Sequence, residues 1–202
     1  MIVIVDYGFG NKINLSSALD KIKVDHLISS KKKDIENCSH LILPGVGAFK
    51  TTINHLKKKK LLNTIKDIAK KKPVLGICLG MQLLFDYSTE NGKTKGLGLL
   101  KGSVKKFDFK NKNIKIPNIG WNKVMDIKKN KIFLNINKMD EFYFVHSYYI
   151  KTKEKKVIMS NSKYSNFSFA SVINKKNIYG CQFHPERSRN QGLIFLKNFC
   201  NI

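Results

Sequence analysis

The chain has 202 residues, 42% of them hydrophobic, which suffices for one well-buried domain over residues 1–202 and hardly for two. Its 38 basic residues against 14 acidic ones give a formal net charge of +24, which raises nucleic acid as a partner. The basic runs at 31–33, 57–60, 70–72 and 153–156 are scattered instead of forming one face interleaved with aromatics, so a compositional bias toward Lys, Asn and Ile explains the charge and no specific nucleic-acid partner is expected. No run is long and apolar enough to span a bilayer, and Asp6 directly follows the apolar start, so neither a membrane anchor nor a signal peptide is expected and a cytoplasmic location is. Cys38, Cys78, Cys181 and Cys200 show no framework spacing, as in a reducing compartment.

Met1 to Val5 reads as a short strand ending in the turn Asp6-Tyr7-Gly8-Phe9-Gly10-Asn11, after which Leu15, Ala18, Leu19 and Ile22 recur at helical spacing. Two glycines without a third, and without a following acidic residue, do not make a dinucleotide fingerprint, so no nucleotide cofactor is expected. Residues 24–28 and 40–43 read as the next strands. The second runs into Pro44-Gly45-Val46-Gly47-Ala48-Phe49, either an ordinary connector or an irregular backbone whose N–H groups face a site. Residues 51–72 predict one long helix with Ile53, Leu56, Leu61, Ile65 and Ile68 inward.

The next stretch, PVLGICLGMQLLFD from Pro73, is a buried-strand pattern passing into a helix whose inward residues would be Met81, Leu84 and Phe85. Cys78 falls at the turn, with Gly76 and Gly80 two residues to either side. That spacing is the thiol counterpart of the Gly-x-Ser-x-Gly elbow, and a helix N-terminus favours the thiolate. Alternating strands and helices as far as Tyr87 predict an α/β fold, an open and mostly parallel sheet flanked by helices. From Gly96 the pattern changes to short alternating strands at 97–100, 104–109, 115–117, 121–125, 142–149, 157–160, 169–173 and 177–183, expected to extend the sheet antiparallel. A last helix spans residues 192–199.

A nucleophilic cysteine needs a base in reach and a group that orients it. Of the five histidines, His184 closes the run Ile178-Tyr179-Gly180-Cys181-Gln182-Phe183, at a strand end where open α/β sheets hold ligands. Pro185 stops the strand, and Glu186 can reach back to the imidazole. Cys181 and His184, three apart on an extended strand, point to opposite faces and do not form a metal pair, so no metal is expected.

Together, GICLG at 76–80 and QFHPERS at 182–188 resemble the class I, triad-type glutamine amidotransferases. DYGFGN at 6–11, PGVGAF at 44–49, GLGLLKGSV at 96–104, GWN at 120–122 and FYFVHSYY at 142–149 narrow the resemblance to the glutaminase subunits of imidazole glycerol phosphate synthase, of histidine biosynthesis. The resemblance implies Cys78 as nucleophile, His184 as base then acid and Glu186 as its orienter, with the oxyanion hole at Leu79 and at Val46 and Gly47. It implies glutamine held by Gln82, Glu90, His146, Ser147 and Tyr148. The implied partner is a cyclase subunit of (β/α)8-barrel type in a heterodimer, docked near Asn11, Asn14, Trp121 and Arg187. Asn118-Ile119 stands where the family commonly has His-Met, and Arg187 where it often has lysine. Ammonia supply to the amidination of cell-surface sugars remains a second pathway for the same triad, and a catalytically silent basic binding protein remains a reading from another class.

Overall fold

The computed structural model describes residues 1–8, 12–111 and 113–202. In chain order the elements begin β1 (Ile2–Val5), α1 (Ile13–Lys21), β2 (His26–Ser29), α2 (Lys32–Asn37), β3 (His40–Leu43), α3 (Phe49–Lys58), α4 (Leu61–Lys71), β4 (Val74–Ile77), α5 (Leu79–Leu83) and β5 (Phe85–Ser88). They continue with β6 (Thr94–Lys95), β7 (Leu100–Lys106), β8 (Asn118–Lys123), β9 (Glu141–His146), β10 (Tyr148–Lys151), β11 (Ile158–Tyr164), β12 (Phe167–Lys175), β13 (Ile178–Cys181) and α6 (Arg189–Cys200).

A seven-stranded sheet in the order β11-β12-β13-β4-β3-β1-β2 carries the fold. Strands β1, β3, β4 and β13 run parallel, while β11 and β12 are antiparallel additions at one edge. Alternate residues of one strand feed opposite faces: Val3 and Val5 join one core, Ile2 and Ile4 the other. Apolar residues at every position of β1 and nearly every position of β3 are what parallel strands covered on both sides require.

The structure changes several sequence-based expectations. Residues 51–72 form two helices, because Lys60 adopts a left-handed conformation (φ +56°) between them. The apolar spacing already contains the break: Leu56 to Leu61 is a step of five, which a continuous helix would rotate off its buried face. Phe85 is buried in strand β5, since α5 lasts only one turn and a half. The short helix α2, with only Ile35 buried, carried too little periodicity to be expected. The run 142–149 is broken at Ser147, where the chain leaves its pairing with β8 and enters one with β7. Most strands of the second half do not extend the main sheet. Instead β10-β7-β5-β6 forms a separate four-stranded sheet and β8-β9 a two-stranded one.

Candidate active site

Three neighbouring strands of the main sheet end at the same level and deliver the site. In β4 and β13, Ile77 lies opposite Cys181; in β3 and β4, Leu43 lies opposite Gly76. All three are parallel, so the loop after β3, Cys78 after β4 and His184 after β13 converge on one end of the sheet. The Cys78 N–H donates to the Cys181 carbonyl at 2.6 Å and ties two of these ends together.

Cys78 itself carries the strained backbone of the turn, with φ +47° and ψ −106°. Its flanking glycines serve close approach: a Cβ on Gly80 would stand 2.0 Å from the Leu43 carbonyl oxygen, and one on Gly76 2.5 Å from the Met81 nitrogen. Strain held at one residue by tight packing around it is the mark of a nucleophile elbow. The Sγ atom lies 3.8 Å from the Val145 carbonyl oxygen and 3.5 Å from Gln182 Nε2.

His184 is nearly buried, and its Nδ1 lies 2.7 Å from Glu186 Oε1. With Nδ1 engaged by the carboxylate, Nε2 is the ring nitrogen left to interact with the Cys78 sulfur. Burial opposes a charge on this ring, but a negative Cys78 sulfur, its hydrogen bond and the Glu186 carboxylate outweigh it and push the His184 pKa up to about 10. The imidazole therefore holds a proton at neutral pH. Glu186 Oε2 is buried and finds no hydrogen-bond partner among the described residues.

These groups open into a cavity of about 410 Å³, a suitable size for a small molecule. Cys78, His184 and Glu186 line it, and so do Val46, Gly47 and Leu79. The residues implied to hold glutamine, Gln82, Glu90, His146, Ser147 and Tyr148, line it as well. Glu90 has a second duty: its Oε2 accepts the Phe49 N–H at 2.7 Å, fixing itself to the first turn of α3 just after the β3 loop. Burial, then the charge of Glu90, raises the pKa of Tyr148.

His146 is neutral, in contrast to His184. Burial drives its pKa down to about 4, the proximity of His184 adding to this against a hydrogen bond to the Tyr148 carbonyl. Nδ1 lies 2.9 Å from that carbonyl oxygen and so carries the proton, and Nε2 accepts from Asn118 Nδ2 at 3.1 Å.

Of the residues expected at a docking surface, Asn14 and Arg187 line the cavity, and Arg187 also stacks over Tyr143. Trp121 lies outside it, 39% exposed, under the guanidinium of Arg189 at 4.3 Å. Asn11 lies outside the described residues. Sequence reasoning did not single out Gln182, fully buried, or Ser188, which receives the Tyr143 N–H and donates to the His184 carbonyl. The signal for Gln182 was present, as a polar side chain in an otherwise apolar run must find partners when buried.

The family model for class-I glutamine amidotransferases matches residues 3–201. A protein of Caldanaerobacter subterraneus called imidazole glycerol phosphate synthase subunit HisH is 48% identical over 98% of this chain and 97% of its own. One of the same name from Leptospira borgpetersenii is 39% identical over the whole of both chains. Among solved structures, PurLQS from Thermotoga maritima superposes with a TM-score of 0.72 at 18% identity, over 99% of this chain and 97% of that one. A glutamine amidotransferase, also from Thermotoga maritima, gives 0.62 at 18% identity, over 99% and 82%.

Proposed function

Because the chain belongs to the class-I glutamine amidotransferase family, we propose that it is the glutaminase subunit of an imidazole glycerol phosphate synthase, acting in histidine biosynthesis. The observation that carries the chemistry is the Glu186–His184 pair set against Cys78 at the adjoining ends of β13 and β4.

The Cys78 sulfur, its proton resting on His184, attacks the side-chain carbonyl carbon of glutamine. The oxygen becomes an oxyanion received by the N–H groups of Leu79 and of the Val46-Gly47 segment, each such donor being worth roughly 3 to 4 kcal/mol in the transition state. His184 returns its proton to the leaving nitrogen, the C–N bond breaks, and ammonia departs from a γ-glutamyl thioester. Water, deprotonated by His184, then adds to the thioester; the C–S bond breaks, releasing glutamate and regenerating the thiolate. The sum is glutamine plus water to glutamate plus ammonia.

Glu90, at the cavity wall beside Tyr148, fits the α-ammonium group of the substrate. Gln82 spends both amide hydrogens inside the protein, on the Tyr148 carbonyl at 3.0 Å and Gln182 Oε1 at 3.2 Å, so what it offers a ligand is the acceptor oxygen. Ammonia released into water would be protonated and lose its nucleophilicity, so the product passes directly to a second site. The partner is a cyclase of (β/α)8-barrel type, docked in a cytoplasmic heterodimer over the mouth formed by Asn14 and Arg187, with Trp121 at its margin. Among the described residues, no helix is long and apolar enough to cross a membrane.

The test is glutamate release from glutamine by the wild type and by Cys78→Ala, each with the cyclase and its ligand. Cys78→Ala is expected to lose activity by about 10³-fold or more. Undiminished release would sink the mechanism.

A further inference from the structure

Behind the cavity runs a line of buried hydrogen bonds whose direction is set at one end. The Tyr148 carbonyl oxygen can only accept. It takes hydrogens from His146 Nδ1 at 2.9 Å and from Gln82 Nε2 at 3.0 Å. The first contact fixes the tautomer of His146; the second fixes which end of the Gln82 amide faces the carbonyl. The second Gln82 hydrogen is then directed at Gln182 Oε1, 3.2 Å away. That contact turns the Gln182 amide so that its nitrogen, not its oxygen, faces Cys78 Sγ at 3.5 Å.

Gln182 has no exposed surface and Gln82 almost none, so neither amide can turn over by exchanging its partners with solvent. Besides His184 and Gln182, the sulfur faces the Val145 carbonyl at 3.8 Å. A carbonyl can accept from a thiol but repels a thiolate, whereas an amide N–H favours the thiolate.

We propose that Gln182 is a further catalytic residue of this site: its amide N–H, locked in orientation by Gln82 and the Tyr148 carbonyl, holds the Cys78 sulfur as a thiolate. It acts twice in the cycle, on the attacking sulfur and again when the thioester breaks and negative charge returns to it. His184 supplies the proton inventory and Gln182 supplies a neutral donor that does not itself titrate. The inference rests on Cys78 being the nucleophile, and it adds a residue to which neither the triad nor the glutamine pocket assigns a role.

The test reads the sulfur directly. Alkylation of Cys78 by iodoacetamide, resolved by peptide mass across a pH series, is compared among wild type, Gln182→Met, Gln182→Glu and Gln82→Met. The midpoint is expected to rise by about one pH unit in Gln182→Met, equivalent to about 1.4 kcal/mol, and further in Gln182→Glu, which puts a carboxylate beside the sulfur. Gln82→Met, which only frees the Gln182 amide to turn, should move it in the same direction by less. Should the Gln182 variants fail to fold, Gln82→Met decides. Midpoints unchanged in the folded variants would overturn the proposal. Glutamate release with the cyclase separates the two readings: an inactive wild type with shifted midpoints removes the proposed function and leaves Gln182 in place, while an active wild type with unmoved midpoints removes Gln182 alone.

Discussion

Two histidines of one cavity live under opposite rules. His184 sits between the negative Cys78 sulfur and a carboxylate, and these neighbours keep it protonated despite its burial. His146 is as deeply buried, but its polar partners are a carbonyl and an amide, and it stays neutral. Burial therefore sets the state of His146, whose partners are neutral, and is outweighed at His184 by the charge of its partners. The consequence is a division of labour, with one wall able to move a proton and the other made of neutral groups that donate and accept hydrogen bonds without giving up a proton.

The sharpest way to break that contrast is to neutralise the charged wall without changing its size. Glu186→Gln keeps a hydrogen-bonding oxygen beside His184 Nδ1 but removes the charge that favours the imidazolium. We expect kcat for glutamine hydrolysis to fall by about 10³-fold, or about 4 kcal/mol, with KM little altered, because the residue acts on the proton carrier rather than on the substrate. Kinetics with saturating cyclase would check it. A loss of less than about tenfold would mean that His184 needs no orienting charge.

Stability against pH gives a second comparison, with opposite signs for the two rings. His184 has a folded pKa of about 10, raised above the ordinary 6.5, so its contribution is complete below 6.5 and is lost as pH rises toward 10. His146 has a folded pKa of about 4, so between 6.5 and 4 the unfolded chain binds a proton that the folded one refuses, and stability falls as pH falls, by of the order of 3 kcal/mol over that window. Thermal unfolding across pH should show Cys78→Ala flattening the alkaline limb and His146→Gln the acid limb, relative to wild type. A single variant flattening both would show that the two rings titrate as one unit.

The charged wall was legible in the sequence, whereas of the neutral wall the resemblance supplied Gln82 and His146 but not their connection, for a physical reason. Cys78 between paired glycines and His184 two residues before Glu186 are local patterns, each set within one strand end and its turn. What brings them together is the pairing of β4 with β13, which the strand pattern allowed but did not specify. The neutral wall joins Asn118, His146, Gln82 and Gln182, residues up to 100 positions apart in the pair Gln82 and Gln182, through partners that only three dimensions select. The second half of the chain shows the same limit. Most of its strands were visible, although 115–117 is not a strand and the runs 97–100 and 104–109 overlap one strand, β7. Their distribution over three sheets depends on chain switches such as the one at Ser147, which no alternation of apolar residues announces.

The smallest effect belongs to the far end of the neutral wall. Asn118 is buried and donates to His146 Nε2, the atom left as an acceptor once Nδ1 has donated to Tyr148. Asn118→Leu leaves that nitrogen buried without a donor, a loss of about 1 to 2 kcal/mol in folding stability. The Tyr148 carbonyl still orders Gln82 and Gln182 in this variant, so Cys78 alkylation should keep its wild-type pH midpoint and kcat should change by less than about fivefold. Asn118→His, which restores a ring N–H at the same position, should recover part of the stability. If Asn118→Leu instead lowered kcat as far as Glu186→Gln, His146 would have to move a proton during turnover, and the contrast between the two walls would be wrong at its neutral end.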